Sequence, residues 1–304
     1  MPPTIAVVGA SAVGCYFGGM LARSGADVTL VGRASHMDAI AREGLKIEGV
    51  RVRERIPVRA TTSLREGLGG ADVVLFCVKT VRTESAAREM APFLKPDATI
   101  LSLQNGVDNV DRIYSAIGRS ANPVVVYVAV DMTAPGVVTH SGRGDLIVDP
   151  RGAPLAEVFE KSEIPCRVSE SIEIELWTKM AMNCAYNAIS ALTRARYGRM
   201  MEFPEVRHTM ESAVAETVEV ARAEGVPLSL PQTMEAVYAL AGKMSGATSS
   251  TAQDIARGRL TEIDSLNGYV VRRGAALGIA TPVSEILVTL VKLLEDSAVN
   301  SRAG

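Results

Sequence analysis

Short apolar runs alternate with amphipathic stretches through the first half of the chain. Residues 4–8, 27–31, 72–78, 99–103 and 124–130 are brief runs rich in Val, Ile and Leu and read as strands. The 72–78 run is apolar at nearly every position, as in a central parallel strand covered on both faces. Between the runs, a glycine turn leads into a helix that runs through about Ser24, and 81–94 and 107–117 carry helical patterning. Residues 45–47 with 51–58 read as a small hairpin, and 136–140 with 145–148 as two pieces of an antiparallel edge. Strands separated by helices in this way predict a doubly wound, largely parallel α/β sheet.

The texture changes after about Ser169. Residues 172–196 hold neither Pro nor Gly and are rich in Ala, Met and Leu, which predicts one long helix. In the next helix Val206, Met210, Val214 and Val218 recur every fourth residue and so share one face, and Gly225 and Pro227 end it. Gly278 closes a later helix. Thr281 and Pro282 read as N-cap and first position of the last one, with Val283, Ile286, Leu290 and Leu294 as its apolar stripe. The pattern divides the chain into an α/β domain over 1–169 and an all-α domain over 170–304.

Composition narrows the chemistry. Thirty-two Lys and Arg balance 34 Asp and Glu, a formal net charge of −2, which gives no electrostatic footprint for nucleic acid or for a membrane surface. A compact acidic ligand is compatible with local basic groups. Cys15, Cys77, Cys166 and Cys184 form no Cys-x-x-Cys pair and read as reduced, buried thiols. His36, His140 and His208 stand at no metal-ligand spacing, so no metal site is expected. The first 22 residues are uncharged but have no basic segment before their apolar core, and glycines interrupt them; a cytoplasmic protein without a membrane span is expected.

Gly9-Ala10-Ser11-Ala12-Val13-Gly14 follows the first strand and opens the first helix. A dinucleotide-binding turn belongs there: the first Gly makes the bend, the last permits close helix–strand packing, and a pyrophosphate rests on the helix N-terminus. Ser11 stands where the middle Gly of that pattern usually sits. The plain alternative is a tight strand–helix turn without a ligand. At the end of the second strand stands Arg33, where an NAD-preferring turn carries Asp or Glu; an Arg suits the 2′-phosphate of NADP(H). Lys79 and Gln104-Asn105-Gly106 follow two further strands, at the carboxyl ends where open α/β sheets bind ligands. The first domain is thus expected to be a Rossmann-type NADP-binding domain.

Lys179, Asn183 and Asn187 are spaced i, i+4 and i+8 on the long helix and form one stripe roughly 12 Å long. Two Asn are poor choices for a silent face of a helix otherwise made of Ala, Met, Leu and Ile. Ser249-Ser250 with Gln253 fits a capping box with Ser250 as N-cap, and a helix N-terminus with a Ser hydroxyl also receives a carboxylate well. Glu262 lies twelve residues further on and alone reads as any surface carboxylate.

Together these segments resemble the ketopantoate reductase (2-dehydropantoate 2-reductase) family over almost the whole chain. The resemblance rests on the Gly9–Gly14 turn, Phe76-Cys-Val-Lys-Thr80, Leu103-Gln-Asn-Gly106, the Lys179–Asn187 stripe, Ser249-Ser-Thr-Ala-Gln-Asp-Ile255, Thr261-Glu-Ile-Asp264 and Asn267-Gly268. It implies NADPH-dependent reduction of a small 2-oxoacid, 2-dehydropantoate (ketopantoate), to pantoate in pantothenate (vitamin B5) biosynthesis. Gly9–Gly14, Arg33 and Lys79 would hold the cofactor, Asn105 would touch cofactor and substrate, and Ala129, on the last parallel strand of the sheet, would pass the nicotinamide by its backbone. Lys179 matches the proton donor, Asn183, Asn187 and Ser250 match substrate contacts, and Glu262 matches a residue against cofactor and substrate. Ser11, Tyr197-Gly198 and Thr251-Ala252 depart from the pattern. A related NADP-dependent hydroxyacid or opine-type dehydrogenase and a non-catalytic NADP-binding regulator are the other readings, and the apolar helical half is compatible with a homodimer.

Overall fold

Strand β1 (Ile5–Val8) is buried at all four positions because both of its faces are covered. Ile5 and Val7 join a core with Cys15, Phe17 and Leu21 of helix α1 (Ala12–Arg23), while Ala6 and Val8 join a second core on the opposite face. The period of two along each strand feeds both cores at once, and that is why the runs are continuously apolar. The computed structural model describes residues 3–50 and 52–300, the last three without their side chains. Chain contacts divide it into two compact units, Met1–Ile172 and Glu173–Gly304.

In the first unit there follow β2 (Val28–Val31), α2 (Ala34–Glu43), β3 (Leu45–Gly49), β4 (Arg53–Ile56), β5 (Arg59–Thr61), α3 (Leu64–Leu68) and β6 (Val73–Phe76). After these come α4 (Thr83–Met90), β7 (Thr99–Ser102), α5 (Asn109–Ile117), β8 (Asn122–Ala134), β9 (Val137–Val148), α6 (Ala153–Lys161) and β10 (Cys166–Val168). Among the described residues they form one sheet in the order β4-β3-β9-β8-β7-β6-β1-β2-β5, with β10 also on β9. Strands β5, β2, β1, β6 and β7 are parallel, and the start of β8 joins them through Asn122 and Pro123.

Several expectations change at this level. The two edge pieces at 136–140 and 145–148 are one strand, β9, antiparallel to β8. Gly142 and Gly144 interrupt its apolar alternation, but the ladder runs on through register shifts, with Arg143 at φ 57° and Gly144 at φ 130°. The 81–94 helix is shorter, since 3₁₀ turns at Thr80–Arg82 and Ala91–Phe93 flank α4 and Pro92 cannot extend it. The hairpin of β3 and β4 is present, with Arg51 outside the described residues, and β3 also pairs in parallel with β9.

The second unit is built on α7 (Ile172–Thr193), followed by α8 (Tyr197–Met200), α9 (Pro204–Ala223), α10 (Leu230–Lys243), α11 (Ser250–Ala256), α12 (Asn267–Leu277) and α13 (Pro282–Asn300). From Met180 to Ala191 almost every residue of α7 is buried, which explains a composition apolar on nearly all sides. The Tyr186 hydroxyl donates to the Val237 carbonyl at 2.8 Å and ties α10 to this central helix. On α9, Met210, Val214 and Val218 are buried as their spacing predicts.

The stripe expected on α13 is displaced. Ser284, Leu287 and Val291 face inward, whereas Ile286 and Leu290 are 59% and 43% exposed, as is Leu293 at 64%. The buried Glu216 of α9 sets the rotation: its carboxylate accepts from Val283 N and Ser284 N, both at 2.8 Å. That carboxylate supplies the anionic cap at this helix N-terminus. No described helix is long and apolar enough to cross a membrane.

Candidate active site

The register of the parallel strands sets the ends of β2, β1, β6 and β7 level. Val8 pairs with Val31 on one side and Phe76 on the other, and Phe76 pairs with Ser102. Four of the candidate groups leave the sheet just beyond these residues: the Gly9–Gly14 turn, Arg33, Lys79 and Asn105. Gly9 is required twice over. Its φ is +89°, and a Cβ there would lie 2.7 Å from Val78 N and 2.8 Å from Cys77 C. At Gly14 a Cβ would meet the Gly9 carbonyl oxygen at 2.7 Å, so α1 can lie against the turn only without a side chain.

Ser11 is the exposed N-cap of α1, and its side chain makes no capping bond. No acidic residue stands in the first turn of α1. The amides there and the helix dipole fit a phosphate, so the departure from Gly at position 11 keeps an anion-receptive turn. Arg33 is exposed and is the N-cap residue of α2, where a 2′-phosphate would find its guanidinium. Lys79 is exposed and opens the turn after β6. Beneath the turn, burial pushes the Cys15 thiol up to about 12 and raises that of Cys77 as well, so neither is a thiolate nucleophile.

Ala129 stands apart from this row and, contrary to expectation, is not on a parallel stretch of strand. Only Asn122 and Pro123 of β8 pair with β7, and Ala129 is about 20 Å further along on the antiparallel part, opposite Gly142 and beside a register shift. Such an irregularity turns backbone groups out of the ladder, which is what a backbone contact to a ligand needs.

A buried polar lattice, unexpected from the sequence, braces the ends of β6 and β7. Gln104 Nε2 donates to the Val78 carbonyl at 3.1 Å and to the Thr83 hydroxyl at 2.8 Å, and its Oε1 accepts from Ser102 at 3.0 Å. The Thr83 hydroxyl also lies 2.9 Å from the Thr80 carbonyl oxygen and 3.0 Å from Asn109 Oδ1. Asn105 offers its carbonyl oxygen to Thr80 at 2.9 Å and to Asn109 Nδ2 at 2.7 Å. Gln104 is therefore consumed inside the protein, while the backbone of the half-buried Asn105 is fixed from two sides.

In the helical unit Lys179 and Asn183 are half-buried and Asn187 is buried, one turn apart each on α7. Among the described residues the carboxamides of Asn183 and Asn187 make no hydrogen bond, so both keep their donors and acceptors for a ligand. The N-cap of α11 is Ser249 rather than Ser250: its Oγ accepts from Ala252 N at 3.0 Å. The preference is tertiary, because Ser249 N also bonds Ser190 Oγ at 3.2 Å and its hydroxyl reaches the Asn187 carbonyl oxygen at 3.1 Å. Ser250 becomes the first helical residue, exposed and outside the cap. Glu262, half-buried, precedes a 3₁₀ turn (Ile263–Ser265), and Leu266 then leads into α12, whose first residue Asn267 donates from Nδ2 to the Cys184 carbonyl at 3.1 Å. Ser250 and Glu262 thereby lie on two segments fastened to the turn of α7 that carries Asn183 and Asn187.

Tyr197, one of the departures, packs its ring 4.5 Å from that of Tyr186, and its amide donates to the Ala247 carbonyl at 3.0 Å. Burial raises the tyrosine hydroxyl above its ordinary value. Of the cysteines expected to be buried, Cys166 is only half-buried.

A doubly wound sheet with an anion-receptive glycine turn, in a chain that also has a helical unit carrying Lys and Asn, is the pattern of a Rossmann-type oxidoreductase. Comparison with known proteins makes the assignment specific. The ketopantoate reductase PanE/ApbA family model matches residues 5–152, and the model of its C-terminal domain matches residues 171–295. The chain belongs to the ketopantoate reductase family. A 2-dehydropantoate 2-reductase of Pyrococcus abyssi is 32% identical over 295 residues, covering 95% of this chain and 96% of that protein. A crystal structure of a PanE/ApbA family ketopantoate reductase from Ralstonia eutropha JMP134 superposes with a TM-score of 0.92 at 45% identity, over 97% of this chain and 99% of that one. A D-mandelate dehydrogenase solved with NADH and anilino(oxo)acetate reaches a TM-score of 0.91 at 24% identity, over 97% of this chain and 99% of that one, a likeness of fold alone.

Proposed function

We propose that this chain reduces 2-dehydropantoate (ketopantoate) to pantoate with NADPH, in the cytoplasm, as a step of pantothenate synthesis. The observation that carries the reading is the Lys179–Asn183–Asn187 stripe, with the segments of Ser250 and Glu262 fastened to its helix by Ser249 and Asn267. The family and the relatives' names support the same activity.

Bound nicotinamide supplies a hydride for the ketone carbon. The residues suit that cofactor: the amides opening α1 would take the pyrophosphate, the exposed Arg33 would take the 2′-phosphate, and Lys79, Asn105 and the Ala129 backbone would hold the remainder. Negative charge grows on the carbonyl oxygen as the carbon is reduced, and the Lys179 ammonium meets it. Lys179 then gives its proton to that oxygen, so the alcohol gains one hydride and one proton, and solvent reprotonates the amine. Asn183 and Asn187 orient the substrate oxygens, Ser250 receives the carboxylate, and Glu262 stands against cofactor and substrate.

Removing the donor at a developing oxyanion costs about 10²–10⁴-fold in rate. Lys179→Ala should lose turnover by that factor and keep its NADPH affinity; an equal loss of both would assign Lys179 a folding role. For the same unit we propose a homodimer contact through the exposed Ile286, Leu290 and Leu293 of α13, a stripe spaced as a helix–helix seam. Light scattering should show a dimer that Leu290→Lys dissociates, and a monomeric wild type would remove this part of the proposal.

A further inference from the structure

Two carbonyls on the central turn of α7 accept side-chain hydrogen bonds from outside the helix: Asn187 from Ser249 Oγ at 3.1 Å, and Cys184 from Asn267 Nδ2 at 3.1 Å. Ser249 also caps its own helix. Asn267 has no comparable second task. It is fully buried, and its Oδ1 accepts no hydrogen bond among the described residues. An interior helix carbonyl has a backbone donor four residues on, so the extra bond adds little to the fold while a sealed acceptor subtracts from it. An apolar side chain of the same size would fill the place without that cost. Stability does not account for the amide.

Its placement does. Residues 261–266 are irregular, with a three-residue 3₁₀ turn and Leu266 at φ −109°, ψ −108°. Their outer side is held to α13 by Thr261 N on Glu295 at 2.6 Å and by the Lys292–Asp264 pair at 2.7 Å. That ion pair is half-exposed, and such pairs constrain geometry weakly. Asn267 makes a buried bond at the inner end, from the segment that carries Glu262 to the residue next to Asn183.

We infer that Asn267 is a positioning residue, which through its Nδ2 bond to the Cys184 carbonyl fixes the Glu262 segment against the Asn183–Asn187 turn. The inference rests on the ketopantoate reductase reading given above. It separates two effects that a folding role would join: geometry at the reacting groups and stability of the unit.

The test compares Asn267→Leu and Asn267→Ala with Ser284→Ala, which removes another sealed, unsatisfied oxygen of the same unit. Ser284→Ala should keep wild-type kinetics and melt at or above the wild type. Both Asn267 variants should lose about ten- to a hundredfold in kcat/KM for ketopantoate per folded molecule, with NADPH affinity within about twofold of wild type. Adding Glu262→Gln to Asn267→Leu should cost less than the product of the two single losses, because both act on one group. Unchanged kinetics per folded molecule in both Asn267 variants, or fully multiplicative losses, would overturn the inference. If the wild type oxidises NADPH with no oxoacid, the reading of function fails by itself. Hydrogen exchange then decides: faster exchange of residues 261–266 in Asn267→Leu than in Ser284→Ala supports the positioning role, and equal exchange removes it.

Discussion

In the sheet unit the candidate residues hang from strand ends held level by register, whereas in the helical unit they project from one helix whose neighbours decide what it presents. The first arrangement is made largely of backbone: a positive φ at Gly9, missing side chains at Gly9 and Gly14, and amides opening α1. The second is made of side chains, with the carboxamides of Asn183 and Asn187 kept open and the segments of Ser250 and Glu262 fastened alongside. A backbone site tolerates no added atom, while a side-chain site can lose one group and still fold.

The largest effect should come from breaking the backbone site. Gly9→Ala adds strain at φ +89° to an overlap with Val78 and Cys77 and should cost about 3 kcal/mol or more. Gly25 has a φ of +91° with nothing within 4 Å of a Cβ, so Gly25→Ala should cost only the strain, about 1–2 kcal/mol. Urea denaturation of the two variants measures the difference; equal costs would show that the packing at Gly9 yields. Arg33→Asp comes next and should shift the NADPH-to-NADH preference by about one to two orders of magnitude, measured as the ratio of kcat/KM values. An unchanged ratio would remove Arg33 from the cofactor site.

These expectations could be formed from the sequence because strand period, glycine spacing and the i, i+4, i+8 stripe are local signals. The misses lie where a local signal is degenerate and a distant residue decides. Ser249 and Ser250 both fit an N-cap, and bonds to Ser190 and Asn187, about sixty residues away, select Ser249. On α13 two overlapping apolar faces compete, and Glu216 of α9 chooses the one through Leu287 and Val291. Gln104 reads as a ligand group from its place after a strand, and only the packing of Thr83 against it shows the amide engaged. At 136–148 the glycines imitate a break that the ladder passes through.

Glu216→Ala sharpens the same contrast in the helical unit. Losing the acceptor of two amides should cost about 1–3 kcal/mol in thermal denaturation, and a smaller loss of activity should follow from the loosened α13. The smallest effect belongs to the Glu84–Arg112 pair of the sheet unit, bonded at 2.7 and 2.8 Å. The Arg112 guanidinium holds the Glu84 carboxyl below the ordinary glutamate value, about 4.3. With the folded value depressed, the contribution is present at neutral pH and is lost as pH falls through the ordinary value to the folded one. Glu84→Gln should flatten that acid limb by less than about 1 kcal/mol, since the pair is part-exposed, and a limb of unchanged slope would show the pair to be idle.

Steady-state NADPH oxidation by the purified protein with ketopantoate, pyruvate and 2-oxoisovalerate in turn tests the proposed activity most directly. The highest kcat/KM is expected with ketopantoate, together with a stoichiometric yield of pantoate. A higher value with either other acid, or no oxidation with any of the three, would contradict that activity.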